Sequence, residues 1–253
     1  MIYVCIPTHN EAATVGVLMW KVRKVLSEFD RPFTIVVHDD ASTDDTAQVL
    51  ARYKRMLPLT VLHSEERIGY GRSVETLLRH VQVEAPYPKR DCAIVMQADF
   101  TEDPQDMVPL LKLIEGGADI VAGCLAGAEG PPPKGVKLVR WVTERMLKRV
   151  VGSAPVSDPL GGLRAYRVIV LKKALRDRAE PLLGSDGWAA NVELLGRLAP
   201  HARRIAEAPL SLRYDLQMRP SRFRPVRTLW SLARLRPSLW AAAPGNAPSA
   251  EAA

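Results

Sequence analysis

Ala93-Ile94-Val95-Met96-Gln97-Ala98-Asp99-Phe100 is an apolar run short enough for a buried strand, and it stops at a polar pair, Gln97 and Asp99. In an open α/β sheet, ligands bind just beyond the carboxyl ends of the strands. A carboxylate there can meet a metal or a ligand, or it can open a turn or cap the helix that starts near Pro104. A second apolar run ends the same way, at Val36-Val37-His38-Asp39-Asp40, and tips the balance toward binding.

Outward from these tips, the pattern alternates. Residues 2–6 read as a first strand ended by Pro7. Asn10 then caps a helix whose apolar positions, Val15, Leu18, Met19, Val22 and Leu26, follow helical spacing. Residues 33–37 form a second strand, and Ser42-Thr43-Asp44-Asp45 has the shape of a capping box for a helix through Val49, Leu50 and Tyr53. A short strand at 59–62, a helix after Gly69-Tyr70-Gly71, the strand ending at Gln97, a helix over 104–114 and a strand at 119–123 complete the series. Such alternation predicts βαβ units, a mainly parallel sheet, and polar strand ends on one rim.

After Gly123 the texture changes. Residues 127–135 are rich in Gly and Pro and read as a loop. A basic amphipathic helix over 137–151 carries Leu138, Trp141, Val142 and Leu147 among Arg140, Arg145, Lys148 and Arg149; packing on a core or lying on a membrane both suit it. Residues 157–164 read as a second functional loop before a helix near Val168. A further helix over 186–198 carries Glu193, a surface or capping carboxylate, and 227–239 is basic with Trp and Leu. The Ala/Pro-rich residues 241–253 read as disordered.

With 253 residues, 47% of them hydrophobic and 25% charged, the chain can bury the core of one large domain. No run approaches the length of a membrane span, and Met1-Ile2-Tyr3-Val4-Cys5-Ile6 lacks the basic lead of a signal peptide. Cys5, Cys92 and Cys124 fit neither a disulfide framework nor a zinc site, so they read as reduced core thiols of a cytosolic protein. The net charge of +7 gathers late, at Arg213, Arg219, Arg222, Arg224, Arg227, Arg234 and Arg236, which suits phosphate groups or an anionic membrane. Aromatic residues are only 6%, too sparse for nucleic-acid stacking platforms, and no Gly-x-Gly-x-x-Gly follows the first strand.

Ile6-Pro7-Thr8-His9-Asn10-Glu11 and His38-Asp39-Asp40-Ala41-Ser42-Thr43-Asp44, followed in order by Gln97-Ala98-Asp99, resemble the motifs of family 2 glycosyltransferases of GT-A fold. Ser157-Asp158-Pro159-Leu160-Gly161-Gly162-Leu163-Arg164-Ala165-Tyr166 resembles the acceptor-side loop of the dolichol-phosphate mannose synthase branch, and Arg219-Pro220-Ser221-Arg222-Phe223 its late basic motif. The resemblance covers about residues 2–230 and implies a single Rossmann-like domain, a mainly parallel sheet flanked by helices, with C-terminal amphipathic helices. Its expected limits are a glycosyltransferase domain over 1–225, divided into a nucleotide-binding half (1–123) and an acceptor half (124–225), a basic segment (226–240) and the tail.

The resemblance further implies that Pro7, Asn10, Glu11 and Asp40, with Asp39 beside them, line a nucleoside pocket. Gln97 and Ala98 would contact the donor, and Asp99 would be the principal ligand of Mg2+ or Mn2+ with Gln97 as a second. Arg219 and Arg222 would meet phosphate oxygens, and Asp158 and Arg164 would shape the acceptor side. The family's metal motif usually reads Asp-Ala-Asp, often followed by Leu-Gln; here Gln97 and Thr101 depart from it. Neutral Gln97 offers a cation less charge, which lowers metal affinity unless Glu102 or Asp103 compensates through water, or leaves binding without catalysis.

The activity implied is inverting transfer of a hexose from GDP-mannose or UDP-glucose to a polyprenyl phosphate, on the cytosolic membrane face, with the basic helices around Trp141 and Trp230 as the membrane contact. An ionised phosphate acceptor hardly needs a general base. A soluble alcohol acceptor would need one, and Asp158 is the candidate; a non-catalytic nucleotide-sugar binding module is a third reading.

Overall fold

The structure, a computed structural model, describes residues 1–151, 156–176, 180–217 and 221–235. Its strands are β1 (Ile2–Thr8), β2 (Phe33–Asp40), β3 (Leu59–Ser64), β4 (Cys92–Val95), β5 (Ile120–Glu129), β6 (Arg164–Arg167) and β7 (Ile205–Arg213). The helices are α1 (Val15–Ser27), α2 (Thr46–Tyr53), α3 (Tyr70–Glu84), α4 (Met107–Glu115), α5 (Val136–Val151), α6 (Val168–Leu175), α7 (Trp188–Leu198) and α8 (Pro225–Ala233). One seven-stranded sheet has the order β3-β2-β1-β4-β6-β5-β7. Among the described strands β6 alone runs against its neighbours, β4 and β5.

Side chains alternate across the pleat, so each central strand feeds two cores. Ile2, Val4 and Ile6 of β1 pack with Leu18 of α1 and Leu110 of α4, whereas Tyr3 and Cys5 pack with Leu77 of α3, Leu171 of α6 and Leu195 of α7. Helices on both faces explain why the strands read as continuous apolar runs. Cys5 and Cys92 are buried free thiols, while Cys124 on β5 is only half-buried.

The strand order reverses between β1 and β4: β2 and β3 lie on one side, the remaining strands on the other. A reversal of this kind opens a crevice beyond the strand ends. Because β6 begins opposite the end of β4, with Arg164 beside Val95, the loop before it arrives at the same rim.

Several elements differ from the sequence reading. β1 runs through Pro7 to Thr8 rather than stopping at Pro7. Backbone groups alternate sides along a strand, and Cys5 O accepts from Met96 N; Pro7 therefore faces the same side, past the last β1–β4 pair, where no ladder bond is lost. β5 continues to Glu129 through the expected loop because β7 pairs along it, with a bulge between Leu125 and Gly127. β6 and β7 have no counterpart in the sequence reading. β6 is four residues long with an arginine at each end, which hides it.

Candidate active site

Beyond the ends of β1, β2 and β4 lies a cleft of about 940 Å³. The loops after these strands form its near wall, and the approaches to α7 and α8 form its far wall.

The loops after β1 and β2 are tied together. Asn10 has φ 54°, a left-handed conformation that Asn tolerates better than most residues. Held so, its side-chain oxygen accepts from Thr43 N at 2.8 Å, its Nδ2 donates to Thr43 Oγ1 at 3.2 Å, and its backbone N–H donates to Ser42 Oγ at 2.9 Å. Asn10 is therefore not the cap of α1, which follows Thr14. Nor do residues 42–45 form a capping box. Helix α2 opens at Thr46, whose N–H reaches Asp44 Oδ1 at 3.0 Å, and the other oxygen of Asp44 accepts from Ala12 N at 3.1 Å.

Adjacent strand residues face opposite ways, which separates the two carboxylates of β2. Asp40 lines the cleft and accepts from Ile68 N at 2.6 Å and Gly69 N at 2.9 Å, fixing the entry to α3. Asp39 is buried behind it, accepting from Ser42 N at 3.2 Å, with His63 Nδ1 3.4 Å away. Its place is support, not the pocket lining expected beside Asp40.

Asp99 follows β4 at the floor of the cleft, where Pro7, Glu11, Gln97 and Ala98 also line it. Its Oδ1 accepts from Thr101 N at 3.1 Å and its Oδ2 from Gln217 Nε2 at 2.9 Å. Behind it sits Glu102, buried, accepting from Gln97 N at 2.8 Å. Burial, joined by the charge of Asp99, pushes the Glu102 carboxyl up to about 8, against the pull of backbone N–H groups from Gln97 and Leu163. Gly162 closes over this corner: a Cβ there would stand 2.9 Å from Glu102 Oε1 and 3.0 Å from Gln97 Nε2, so a larger residue would have to push one of these side-chain ends aside.

Among the described residues, no group of three or more His, Cys, Asp and Glu side chains is arranged to hold a metal. A hard cation that shares its coordination with diphosphate and water needs only one or two protein oxygens. The Asp99 carboxylate with the Gln97 amide oxygen fits that minimal role and does not fit a closed protein cage.

The loop before β6 departs from expectation. Asp158 pairs with Arg140 at 3.0 Å and accepts from Leu160 N at 3.2 Å. Arg164, 1% exposed, donates to the backbone carbonyls of Asn191 at 2.6 Å and Pro159 at 2.5 Å. Neither lines the cleft. Both brace the wall behind it, Asp158 through Arg140 and Arg164 through backbone carbonyls. Glu193 is no surface carboxylate: it is buried and accepts from Gly184 N at 3.0 Å and Ser185 N at 2.8 Å. Arg222 does reach the cleft, donating to His9 O at 2.6 Å and standing 3.5 Å from Glu11. Arg219 lies outside the described residues.

The structure also brings to the cleft Arg227, read from the sequence only as part of the basic end, and residues that sequence reasoning missed: Arg67, Tyr70, Asp186, Trp188 and Gln217. The one legible signal among them is Asp186-Gly187-Trp188, an acidic residue, a glycine and an aromatic just ahead of a helix. Gly187 has φ 60°, and it turns the chain there into α7.

The curated relatives that match include undecaprenyl-phosphate 4-deoxy-4-formamido-L-arabinose transferases. That of Serratia proteamaculans is 24% identical over 172 residues, covering 68% of this chain and 50% of that protein. That of Pseudomonas syringae pv. syringae is 25% identical over 207 residues, covering 79% and 58%. The chain thus spans about half the length of these relatives. Among solved structures, Mycobacterium tuberculosis glucosyl-3-phosphoglycerate synthase with Mn2+, UDP and glucosyl-3-phosphoglycerate superposes with a TM-score of 0.61 at 21% identity, over 92% of this chain and 76% of that one. Residues 1–349 of S. aureus TarS with UDP-GlcNAc give 0.54 at 18% identity, over 87% and 59%. These likenesses identify the fold as GT-A. The model of glycosyl transferase family 2 matches residues 3–175, more than half of the sequence, and the chain belongs to that family.

Proposed function

We propose that this protein transfers a sugar from a nucleotide diphosphate donor to a polyprenyl phosphate at a membrane surface. One observation carries the reading: Asp40 and Asp99, at the ends of β2 and β4 on either side of β1, line a single cleft at the reversal of the strand order. The nucleoside would lie against the loop of Pro7, Asn10 and Glu11 and against Asp40, with the diphosphate reaching toward Ala98 and Asp99. Mg2+ or Mn2+ would be held by Asp99 and the Gln97 oxygen, and it supplies positive charge to the leaving diphosphate. Arg222 adds a fixed cation from the opposite wall. In the transfer, an acceptor phosphate oxygen forms a bond to the anomeric carbon as the bond to the diphosphate breaks and the diphosphate leaves with the electron pair. Displacement from the opposite face inverts the configuration.

The undecaprenyl-phosphate transferases among the relatives support the acceptor class, and so does the engagement of Asp158, the candidate base for an alcohol acceptor, with Arg140. Among the described residues, no helix is long and apolar enough to cross a membrane. The surface contact we assign is α5 with α8, which pack together and expose Leu138, Trp141, Val226 and Trp230. Arg145 covers Trp141 and Arg234 covers Trp230, a mixture suited to an anionic interface. Trp240 lies outside the described residues.

A thermal-shift series of UDP, GDP and their hexose conjugates, with and without Mn2+, tests the donor half. A metal-dependent rise with one nucleoside diphosphate is expected and names the base; no rise with any refutes the reading. Binding without turnover on polyprenyl phosphate would leave only a nucleotide-sugar binding module. Replacing Trp141 and Trp230 by Ala should abolish binding to anionic liposomes, and unchanged binding would refute the membrane contact.

A further inference from the structure

We infer that the acceptor's phosphate is received by Arg227 and Arg224 at the far wall of the cleft, with its first isoprene units lying over Trp188 and Phe223; this rests on the acceptor class proposed above. The cleft is polarised. Its near wall and floor carry the carboxylates Glu11, Asp40 and Asp99, with Arg67 beside Ile68 and Arg222 reaching Glu11, an environment that suits a diphosphate with a bridging cation. Its far wall carries Arg224 and Arg227 with one carboxylate, Asp186. A monophosphate ester can bind there directly.

The far wall is built for that task. Asp186 accepts from Gly71 N–H at 3.3 Å and lies 3.7 Å from the Arg227 guanidinium, which stays 62% exposed. A guanidinium has five N–H donors, so one carboxylate partner leaves enough for phosphate oxygens. Beside it, the Trp188 and Phe223 rings pack at a tilt of 48° with centroids 4.5 Å apart and both line the cleft, apolar surface next to a cationic pair. The same helix that brings Arg227 and Thr228 to the cleft turns Val226 and Trp230 outward, and α5 against it adds Leu138 and Trp141. A head that is anionic and a tail that is wholly apolar match this sequence of surfaces from cleft to exterior. The loop of Asp158 and Arg164 offers no such route, because both side chains are engaged within the fold.

Calorimetry on the full chain with farnesyl monophosphate, inorganic phosphate and farnesol tests the site. Wild type should bind farnesyl monophosphate at least about tenfold tighter than either of the others, since charge-assisted bonds and apolar burial each contribute on that scale. Arg227→Ala should weaken farnesyl monophosphate about tenfold or more while leaving nucleoside diphosphate affinity within about twofold; Arg227→Lys should recover part of the loss. Phe223→Ala should erase most of the preference for farnesyl monophosphate over inorganic phosphate. If wild type binds farnesyl monophosphate but Arg227→Ala does not alter it, this subsite is wrong and the proposed function stands. If wild type binds nucleoside diphosphate but not farnesyl monophosphate, the polyprenyl acceptor falls and the subsite with it.

Discussion

The two walls of the cleft are made in opposite ways. The near wall is assembled from short loops that directly continue β1, β2 and β4, and its polar groups are locked by one another: Asn10 by Ser42 and Thr43, Asp40 by the N–H groups of Ile68 and Gly69. The far wall draws on α3, α7 and α8, and its key arginine is half free. Parallel strands fix positions at their ends almost automatically, whereas helices must be braced from behind. That bracing is what Asp158, Arg164, Glu193 and Glu75 do, the last by accepting from Leu182 and Leu183 N–H at 2.8 and 3.0 Å.

The contrast can be broken most sharply at the floor. Asp99→Asn should lower turnover on the order of 10²–10³-fold and abolish any Mn2+-dependent thermal shift, with the melting temperature of the free protein little changed. A variant that kept the metal response would move the cation site elsewhere. Bracing should answer differently. Arg164→Ala strips donors from buried carbonyls and leaves a cavity, so a loss of about 3 kcal/mol in denaturant unfolding is expected, with nucleotide affinity retained by the folded fraction. Arg222→Ala should do the converse, weakening nucleotide about tenfold at unchanged stability.

Smaller effects sharpen the near wall. Asn10→Ala removes two side-chain bonds and a residue suited to positive φ, for about 1–2 kcal/mol of stability, measured by urea titration. Smallest is a pH effect. Glu ionises near 4.3 when unfolded, and the folded Glu102 near 8; between them the native state holds a proton the unfolded chain has released. Stability should therefore decline as pH climbs through that window, and Glu102→Gln should flatten the decline. An unchanged slope in the variant would assign the effect to another group.

The near wall was legible in the sequence because its information is local. An apolar run that ends in Asp states both the strand and the side chain at its tip. Asp39 was misplaced because the period of two decides orientation only once the register is known, and Asp40 could equally have faced inward. The burial of Asp158 and Arg164 was hidden for a different reason: a Gly-rich motif signals a close approach of backbone but does not say whether the neighbouring charges face solvent or brace the interior. The far wall was illegible because Arg227, Asp186 and Trp188 meet only through the packing of α7 on α8, which no spacing records. β6 escaped because two of its four residues are arginines held by distant carbonyls.

Gly162 has one more implication, for how such a chain can change. Gln97 and Glu102 both stand within 3.0 Å of the point its side chain would occupy, so the three positions form one crowded corner. Reinstating the Asp that the family usually carries at 97 would set a second anion beside an acid that is already reluctant to ionise. Gln97→Asp alone is thus expected to hold the Glu102 carboxyl more firmly in its protonated form. Substitutions at 97, 102 and 162 should therefore couple rather than add in a double-mutant cycle.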